Sequence, residues 1–526
     1  MAKRGRGAPI PELIRQAFAQ LQAGRVAEAQ RLFKTVLGTE PRNALALHEL
    51  SGIVAAAGDL PQAISLMTRA IDADPGMAQA YSNLGNFLRD DGRFEDALNA
   101  YRTAMRLAPD FADTHRCLLA TLLYLPGLNP EQRFAEHLAF GERHRPRPEL
   151  RLPPPVVDRN PERQLRVGLL SSDLHAHAVA RNLAPLFDHR DRAATALICY
   201  AEVAAPDQLT AIARSRSDGW RSTVGLNDRA VAEMIRHDAI DILVITAARF
   251  DRNRPLVACY RPAPVQVSLF DAATSGLGEM DYIVTDPVLS PPGISERFTE
   301  RCAYLPRLLN FPKPEPLPIG APPAQMRGKI TFGSFNNPAK FNYATIALWS
   351  KVMEAVPQST LTLKYLGRYL DPVLCARLRG AFGAAGVDPR RIDFLSPINY
   401  GAAAHLGAYG AIDIGLDPAP FTGVNTTFEA LWMGIPVVTL AGDTMMARMA
   451  AGVVTAAGLD ELVATSPDDY VARAVALAHD LPRLASLRAG MRDRIERSPL
   501  CDSPGFARSL DTLWRTLWRD WCSRAG

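Results

Sequence analysis

Four positions recur with a period of 34 between residues 8 and about 112, and they hold register through three units. Gly24, Gly58 and Gly92 align, as do Ala29, Ala63 and Ala97, then Phe33, Met67 and Tyr101, then Pro41, Pro75 and Pro109. A period of this length marks one supersecondary element per unit, whose apolar face only a neighbouring unit can cover. Each unit reads as a helix pair. The small Ala lets the two helices approach, the large residue four positions on fills the gap beside it, and Pro ends the second helix. The N-terminal part is therefore all-α, a solenoid with a concave face suited to a peptide or protein. The plainer alternative is a packing module that could join two copies of the chain. Helical character runs on from Leu118 to His144, where the period lapses, so residues 8–145 read as the repeat domain with closing adaptor helices.

From Arg145 to Pro161 the chain is crowded with Pro and Arg, including Pro153-Pro154-Pro155, which marks a linker over residues 146–164. Apolar runs at Leu165–Ser171, Ala196–Tyr200, Asp241–Thr246 and Val265–Phe270 then alternate with helical stretches such as Ala230–Ile235. That alternation predicts a parallel sheet covered by helices on both faces, here over residues 165–311. A Pro-rich hinge at 312–327 leads to a second such domain at 328–498. Its strands are expected at Lys329–Phe335, Thr360–Tyr365, Arg391–Leu395, Ala411–Leu416 and Ile435–Leu440. In the last segment, 499–526, a helix from Ser503 to Arg524 carries Leu510, Leu513, Leu517 and Trp521 on one stripe. The fold class is α/β with an all-α N-terminal part.

At 526 residues and 48% hydrophobic the chain can build several cores. A net charge of +4 is too small to argue for nucleic acid, and the basic residues of Met1-Ala-Lys-Arg-Gly-Arg-Gly read as a solvated tail. No apolar run reaches the roughly 18 residues that span a bilayer, and no secretory stretch opens the chain, so the expectation is a cytoplasmic protein that does not engage membranes. Seven scattered cysteines without a C-x-x-C pair suit reduced thiols.

Two loops carry the chemistry. In the first, a strand ending near Leu416 enters the Pro/Gly loop Asp417–Val424, then a short helix that stops at Gly434. Thr426 and Glu429 have the spacing of a capping box, which places the helix start near Thr426 and aims its free N–H groups into the loop. Those groups either attract phosphate or are merely capped. In the second, the strand ending at Phe335 runs into Asn336-Asn337-Pro338-Ala339-Lys340. Lys340 thus lies beyond a strand's carboxyl end, on the edge where open parallel sheets bind ligands. Only seven of the 59 basic residues are Lys, so Lys340 is not simply the default surface cation; the plainer alternative is a solvated loop charge. His175 and His177 follow the strand Leu165–Ser171 at the equivalent edge of the first sheet; a lone loop His is more often structural than functional.

The pieces FGSFNNPAKF, RIDFLSP, DIGLDPAPFTGVNTTFEALWMGIPVVTL and GDTMMARMAAGVV, in that order and spacing, resemble the catalytic half of the O-linked N-acetylglucosamine transferase and SPINDLY-like family, glycosyltransferase family 41. SSDLHAHAVARNL and YRPAPVQVSLFDAATSGLGEMDYIVTD extend the resemblance back to about residue 165, and the 34-residue units are similar to tetratricopeptide repeats, in their expected place ahead of it. The resemblance implies two Rossmann-like domains in the GT-B arrangement, with a nucleotide sugar between them. It implies inverting transfer of N-acetylglucosamine or a related hexose from a UDP-sugar to Ser or Thr of a protein bound along the repeats. No cofactor is implied and no metal expected, in keeping with the lack of a D-x-D at a strand end. His177 falls on the family's active-site histidine, as base or positioning donor; His175 has no counterpart. Lys340, with Thr426, Thr427 and the helix-start amides, is placed on the departing diphosphate, Asn337 in the same nucleotide-sugar site, Glu429 on the ribose and His405 on the uracil.

Departures stand beside these matches. Ala247-Ala248-Arg249-Phe250 replaces a G-H/Y-T segment, Phe270-Asp271-Ala272-Ala273 a G-Y-P-G, and Val424 stands where animal enzymes carry His; Ala408 replaces an Arg that those enzymes place three residues beyond the His matched by His405. They leave open a different donor or acceptor, such as UDP-glucose, GDP-fucose or Asn, and a repeat scaffold with a degenerate transferase domain.

Overall fold

The computed structural model describes residues 8–396 and 401–524. The basic tail at residues 1–7, Pro397 of the RIDFLSP piece and the last two residues of the final segment lie outside the described residues. The chain divides into two compact units, with the boundary between Thr121 and Leu122.

The first unit is a run of antiparallel helices: Ile10–Gln22, Val26–Thr39, Ala44–Ala56, Leu60–Ala73, Ala78–Asp90, Phe94–Leu107, then most of Ala112–Leu122. The register read from the sequence is the register of the packing. Ala29, Ala63 and Ala97 are fully buried, and so are Phe33, Met67 and Tyr101. Gly24, Gly58 and Gly92 turn between paired helices at φ of +73°, +93° and +80°, a left-handed conformation that costs a side-chain-bearing residue about 1 kcal/mol or more. Gly85 admits the Tyr101 ring, whose nearest carbon would lie 2.4 Å from an added Cβ.

The second unit holds two parallel sheets. The first comprises β1 (Leu165–Ser171), β2 (Thr195–Ala201), β3 (Gly219–Ser222), β4 (Ile242–Thr246), β5 (Val265–Leu269), β6 (Tyr282–Thr285) and β7 (Arg301–Tyr304), in the order 3-2-1-4-5-6-7. The second comprises β8 (Thr331–Ser334), β9 (Thr360–Lys364), β10 (Ile392–Leu395), β11 (Ile414–Leu416), β12 (Val437–Leu440) and β13 (Val463–Ala464), in the order 10-9-8-11-12-13. Every neighbouring pair is parallel. Counted within its own domain the second order is 3-2-1-4-5-6, so both sheets have the Rossmann arrangement, with switch points between β1 and β4 and between β8 and β11.

The sequence locates the central strands to within a few residues and misses β3, β6, β7 and β13. β3 reads Gly-Trp-Arg-Ser and is half exposed, β7 alternates with an exposed Arg301 and Tyr304, and β13 is two residues long; none forms a continuous apolar run. β6 is fully buried and apolar in part, but it lies inside a stretch read for its motif rather than its periodicity.

Helix Ser503–Ser523 lies against helix Ala178–His189 of the first sheet's domain. Trp514 and Trp518 are fully buried, Asp511 accepts from the Thr195 hydroxyl at 3.0 Å, and the Tyr282 hydroxyl donates to Asp520 at 2.6 Å. The expected hinge has no regular structure over residues 312–322 and is pinned from helix Leu481–Arg497: Arg488 donates to the Gly320 carbonyl at 2.8 Å and Arg492 to that of Leu317 at 2.6 Å.

Helix Pro130–His144 belongs to the second unit and meets the loop after β5 backbone to backbone. Gly276 has φ +74°, and a Cβ there would lie 1.9 Å from the His137 carbonyl oxygen. Neither strain nor clash can relax without separating the helix from the loop. Gly276→Ala should therefore cost the second unit about 3 kcal/mol or more. All six tryptophans lie beyond residue 121, so the fluorescence transition in urea reports this unit alone.

Candidate active site

At the second switch point, β8 delivers Asn336 to Lys340 and β11 delivers Asp417 to Thr427. The Lys340 ammonium donates to the Asn336 side-chain oxygen at 3.1 Å and to the Thr422 carbonyl at 2.9 Å, and it lies 4.7 Å from the Phe421 ring. Burial pushes this ammonium down to about 8, against the pull of the Asp417 carboxylate. Asp417 is itself fully buried. Burial raises its carboxyl to about 6, although it accepts from the Thr439 hydroxyl and the Gly423 N–H, both at 2.8 Å, and faces the Lys340 charge. The ammonium's hydrogen-bond acceptors are thus two neutral oxygens, with the Asp417 carboxylate as a coulombic partner.

The capping box expected from Thr426 and Glu429 does not form. The helix runs Asn425–Trp432, its N-cap is Val424, and no side chain caps it. The Thr426 hydroxyl donates instead to Asn336 at 3.0 Å. Asn336 thereby joins Lys340 to the helix start through one oxygen. Glu429 accepts from His405 Nε2 at 2.9 Å and from the buried Tyr409 hydroxyl at 3.4 Å. Spacing alone could not anticipate this, because His405 and Tyr409 are 20 or more residues away in sequence. The side chain of Asn337 is occupied in its own turn, accepting from the Ala339 N–H at 3.0 Å. The Thr427 hydroxyl oxygen is buried and has no partner among the described residues. Gly423 is obligatory here, since a Cβ would lie 2.4 Å from that hydroxyl and 2.8 Å from the Asp417 carboxylate.

At the first switch point the loops after β1 and β4 are cross-tied. Asn253 accepts from the Ser172 N–H at 2.7 Å and donates to Asp173 at 2.9 Å, while the Thr246 hydroxyl donates to that of Ser171 at 2.7 Å. Asp173 is fully buried and burial raises its carboxyl. His177 is the N-cap of helix Ala178–His189, and its Nδ1 accepts from the Val179 N–H at 3.3 Å. The neutral ring therefore carries its proton on Nε2, which lies 3.8 Å from Asp251. Asp251 holds a φ of +51°, sparsely populated for a side-chain-bearing residue. The His175 ring stands 5.8 Å from that of His177.

The structure thus brings Lys340, Thr426 and Asn336 into one network, His405 and Glu429 into a second, and sets His177 on the other sheet beside Asp251. Asn336, Asp417, Lys364, Tyr409 and Asp251 were not singled out from the sequence. Asp417 and Lys364 could have been, since a charged residue at the carboxyl end of an apolar parallel strand has few structural reasons to be there.

Arg249, one of the departures, bonds to partners outside both networks. Its guanidinium is buried and donates to Asp271 at 2.5 Å and to the Ala273 and Thr274 carbonyls at 2.7 and 2.6 Å. It also contacts His137 on the helix that Gly276 touches, so it secures the loop in which Ala272 and Ala273 lie. The two domains of this unit meet beside the second site. Glu296 accepts from the Met445 N–H at 2.6 Å, Arg448 donates to the Val288 carbonyl at 2.6 Å, and Phe311 stacks on Phe428 at 4.3 Å. Among the described residues no three His, Cys, Asp or Glu side chains converge as metal ligands would, and no helix is long and apolar enough to cross a membrane.

A helical repeat array followed by two Rossmann sheets, one presenting a histidine and the other a lysine at its switch point, has the layout of the GT-B fold. The family description Glycosyl transferase family 41 matches residues 153–311 and 325–510, and two Tetratricopeptide repeat descriptions match 14–78 and 54–122. The chain belongs to glycosyl transferase family 41. It is similar to the probable UDP-N-acetylglucosamine–peptide N-acetylglucosaminyltransferase SPINDLY of Solanum lycopersicum, 31% identical over 80% of this chain and 45% of that protein. The protein of the same name from Oryza sativa subsp. japonica is 32% identical over 81% of this chain and 46% of its own length, so the chain spans under half the length of these relatives. The solved structure of a mutant O-GlcNAc transferase from Thermobaculum terrenum is 35% identical and superposes over 100% of both chains with a TM-score of 0.90.

Glu296 yields a test of the domain contact. Burial raises its carboxyl to about 7 from 4.5. The folded state therefore favours the protonated form: that contribution is complete below pH 4.5 and is lost as pH rises through 7. Relative to Glu296→Gln, the unsubstituted chain should lose about 3 kcal/mol over this window, read from urea transitions at pH 4.5 and 8.5.

Proposed function

We propose that this protein transfers N-acetylglucosamine, or a related hexose, from a UDP-sugar to Ser or Thr of a protein acceptor, with inversion and without a metal. The observation that carries the reading is the enclosed Lys340 ammonium at the second switch point, in a chain of family 41. Breaking the bond from sugar to phosphate develops charge mainly on the leaving diphosphate, so fixed donors there contribute the largest electrostatic term. Lys340 supplies the charge, and the Thr426 and Thr427 hydroxyls and the backbone N–H groups at the helix start supply further donors. Such an arrangement does the work that a divalent cation does in other nucleotide-sugar enzymes. Glu429 and His405 take the ribose and base end. Because its Nδ1 is occupied, His177 serves as a donor and positioning group through Nε2 rather than as the base. The acceptor hydroxyl attacks the anomeric carbon, the sugar–phosphate bond breaks, UDP leaves with the electron pair, and the hydroxyl proton passes to a diphosphate oxygen of the departing UDP.

The acceptor is a protein engaged along the concave face of the repeats, and the reaction takes place in the cytosol. The departure at Arg249 does not weaken the reading, since that side chain serves the packing of a loop. Val424 removes a polar group beside the diphosphate loop, which favours testing more than one donor.

Incubation with UDP-N-acetylglucosamine, UDP-glucose and GDP-fucose, followed by intact-mass and fragment spectrometry of acceptor proteins, decides both the sugar and the amino acid modified. Lys340→Met should lower kcat by roughly a hundredfold or more with the fold intact. No adduct from any donor, together with no UDP binding by calorimetry, would leave a repeat scaffold. The value near 8 for Lys340 predicts that kcat/KM, which reports the free enzyme, falls as pH rises through about 8. Lys340→Arg should move that limb to higher pH.

A further inference from the structure

Beside the nucleotide site lies a buried cation that the proposed chemistry does not use. Lys364 is the last residue of β9, 4% exposed, with its ammonium 5.2 Å from the Phe335 ring. It donates to His405 Nδ1 at 2.7 Å, and the opposite ring nitrogen, Nε2, meets Glu429 at 2.9 Å. The protonation pattern follows from what each group can do. An ammonium has donors and no acceptor, so Nδ1 must offer its lone pair; the neutral ring then carries its proton on Nε2, which donates to the carboxylate. Tyr409 completes the surroundings, its ring edge-on to His405 at 5.9 Å and its hydroxyl on Glu429. Lys364, Glu429 and Tyr409 are the ionisable groups that face the ring among the described residues, and the first two hold it from opposite sides. Burial lowers the Lys364 ammonium while Glu429 opposes that shift, as expected of a charge kept in place for its neighbours.

Resting on the reading of this site as a uridine-nucleotide site, we infer that Lys364 is a positioning residue: it fixes the tautomer and ring plane of His405, and through His405 the carboxylate of Glu429, without touching the nucleotide. The rotamers of two site residues are then set by one strand-end lysine. Removing it frees Nδ1 to take a proton and the ring to turn, and Glu429 loses the His405 donor while keeping the Tyr409 hydroxyl.

The experiment uses the full chain with 15N-labelled histidine, the His405 signals being assigned by their loss in His405→Phe. Without nucleotide, the unsubstituted chain should show an unprotonated Nδ1 and a protonated Nε2. Lys364→Met should lose that pattern, and Lys364→Arg, which keeps a donor, should retain it. By calorimetry, Lys364→Met should weaken UDP binding about tenfold, the scale of one charge-assisted hydrogen bond. In the His405→Phe background the same substitution should change the Kd less than twofold, because the partner through which Lys364 acts is gone. An equal loss in both backgrounds, or an unchanged His405 spectrum in Lys364→Met, overturns the inference. Failure of the unsubstituted chain to bind UDP overturns the functional reading instead, and the spectrum still decides what Lys364 does to His405.

Discussion

A half-buried lysine ammonium, fixed at the end of a parallel sheet, is the group on which the site depends. Its position is unfavourable alone: burial drives Lys340 toward neutrality and drives Asp417, its nearest counter-charge, toward protonation. What keeps the cation in place is a set of fixed dipoles, the Asn336 side chain and the Thr422 carbonyl, both on loops that leave adjacent strands β8 and β11. Gly423 lets those loops close, because any side chain there would displace the Asp417 carboxylate or the Thr427 hydroxyl. The rest of the second domain supplies the rigidity that makes this arrangement sustainable.

The same logic recurs at other points in the unit. Polar groups around both switch points are tied to one another across loops that are distant in sequence: Asn253 between Ser172 and Asp173, and Asn336 between Lys340 and Thr426. A buried side chain with its hydrogen bonds satisfied has few alternative rotamers, and pre-set rotamers are what a site that stabilises developing charge requires. Departures from the family's pattern are absorbed in this way too. Arg249 brings a charge into a segment where the family carries a small polar motif, yet Asp271 and two carbonyls take up its donors within the loop it secures.

The repeat register, the central strands of both sheets and the positions of Lys340 and His177 at strand ends were legible because each rests on local periodicity or on a strand-loop junction. Legibility failed where the decisive partner is remote. Thr426 and Glu429 have capping-box spacing, but Asn336 and His405 offer them better partners than the helix's own N–H groups, so the local motif yields to tertiary contacts. Asn337 stood out by its place in the motif, whereas the structure turns it into its own loop and gives the bridging position to Asn336. Short edge strands such as β7 and β13 escaped because half-exposed strands carry no continuous apolar signal.

By itself, then, the amino-acid sequence determined the helix-pair repeats, the two alternating α/β regions and the family, since all three are written in spacings that survive without knowledge of any long-range contact. Only the tertiary structure decided which polar side chains meet. Hydrogen bonds and ion pairs act over about 3 Å and are blind to chain distance, so the partners of Lys340, Glu429, Lys364 and Arg249 could be known only once the sheets had brought their loops together.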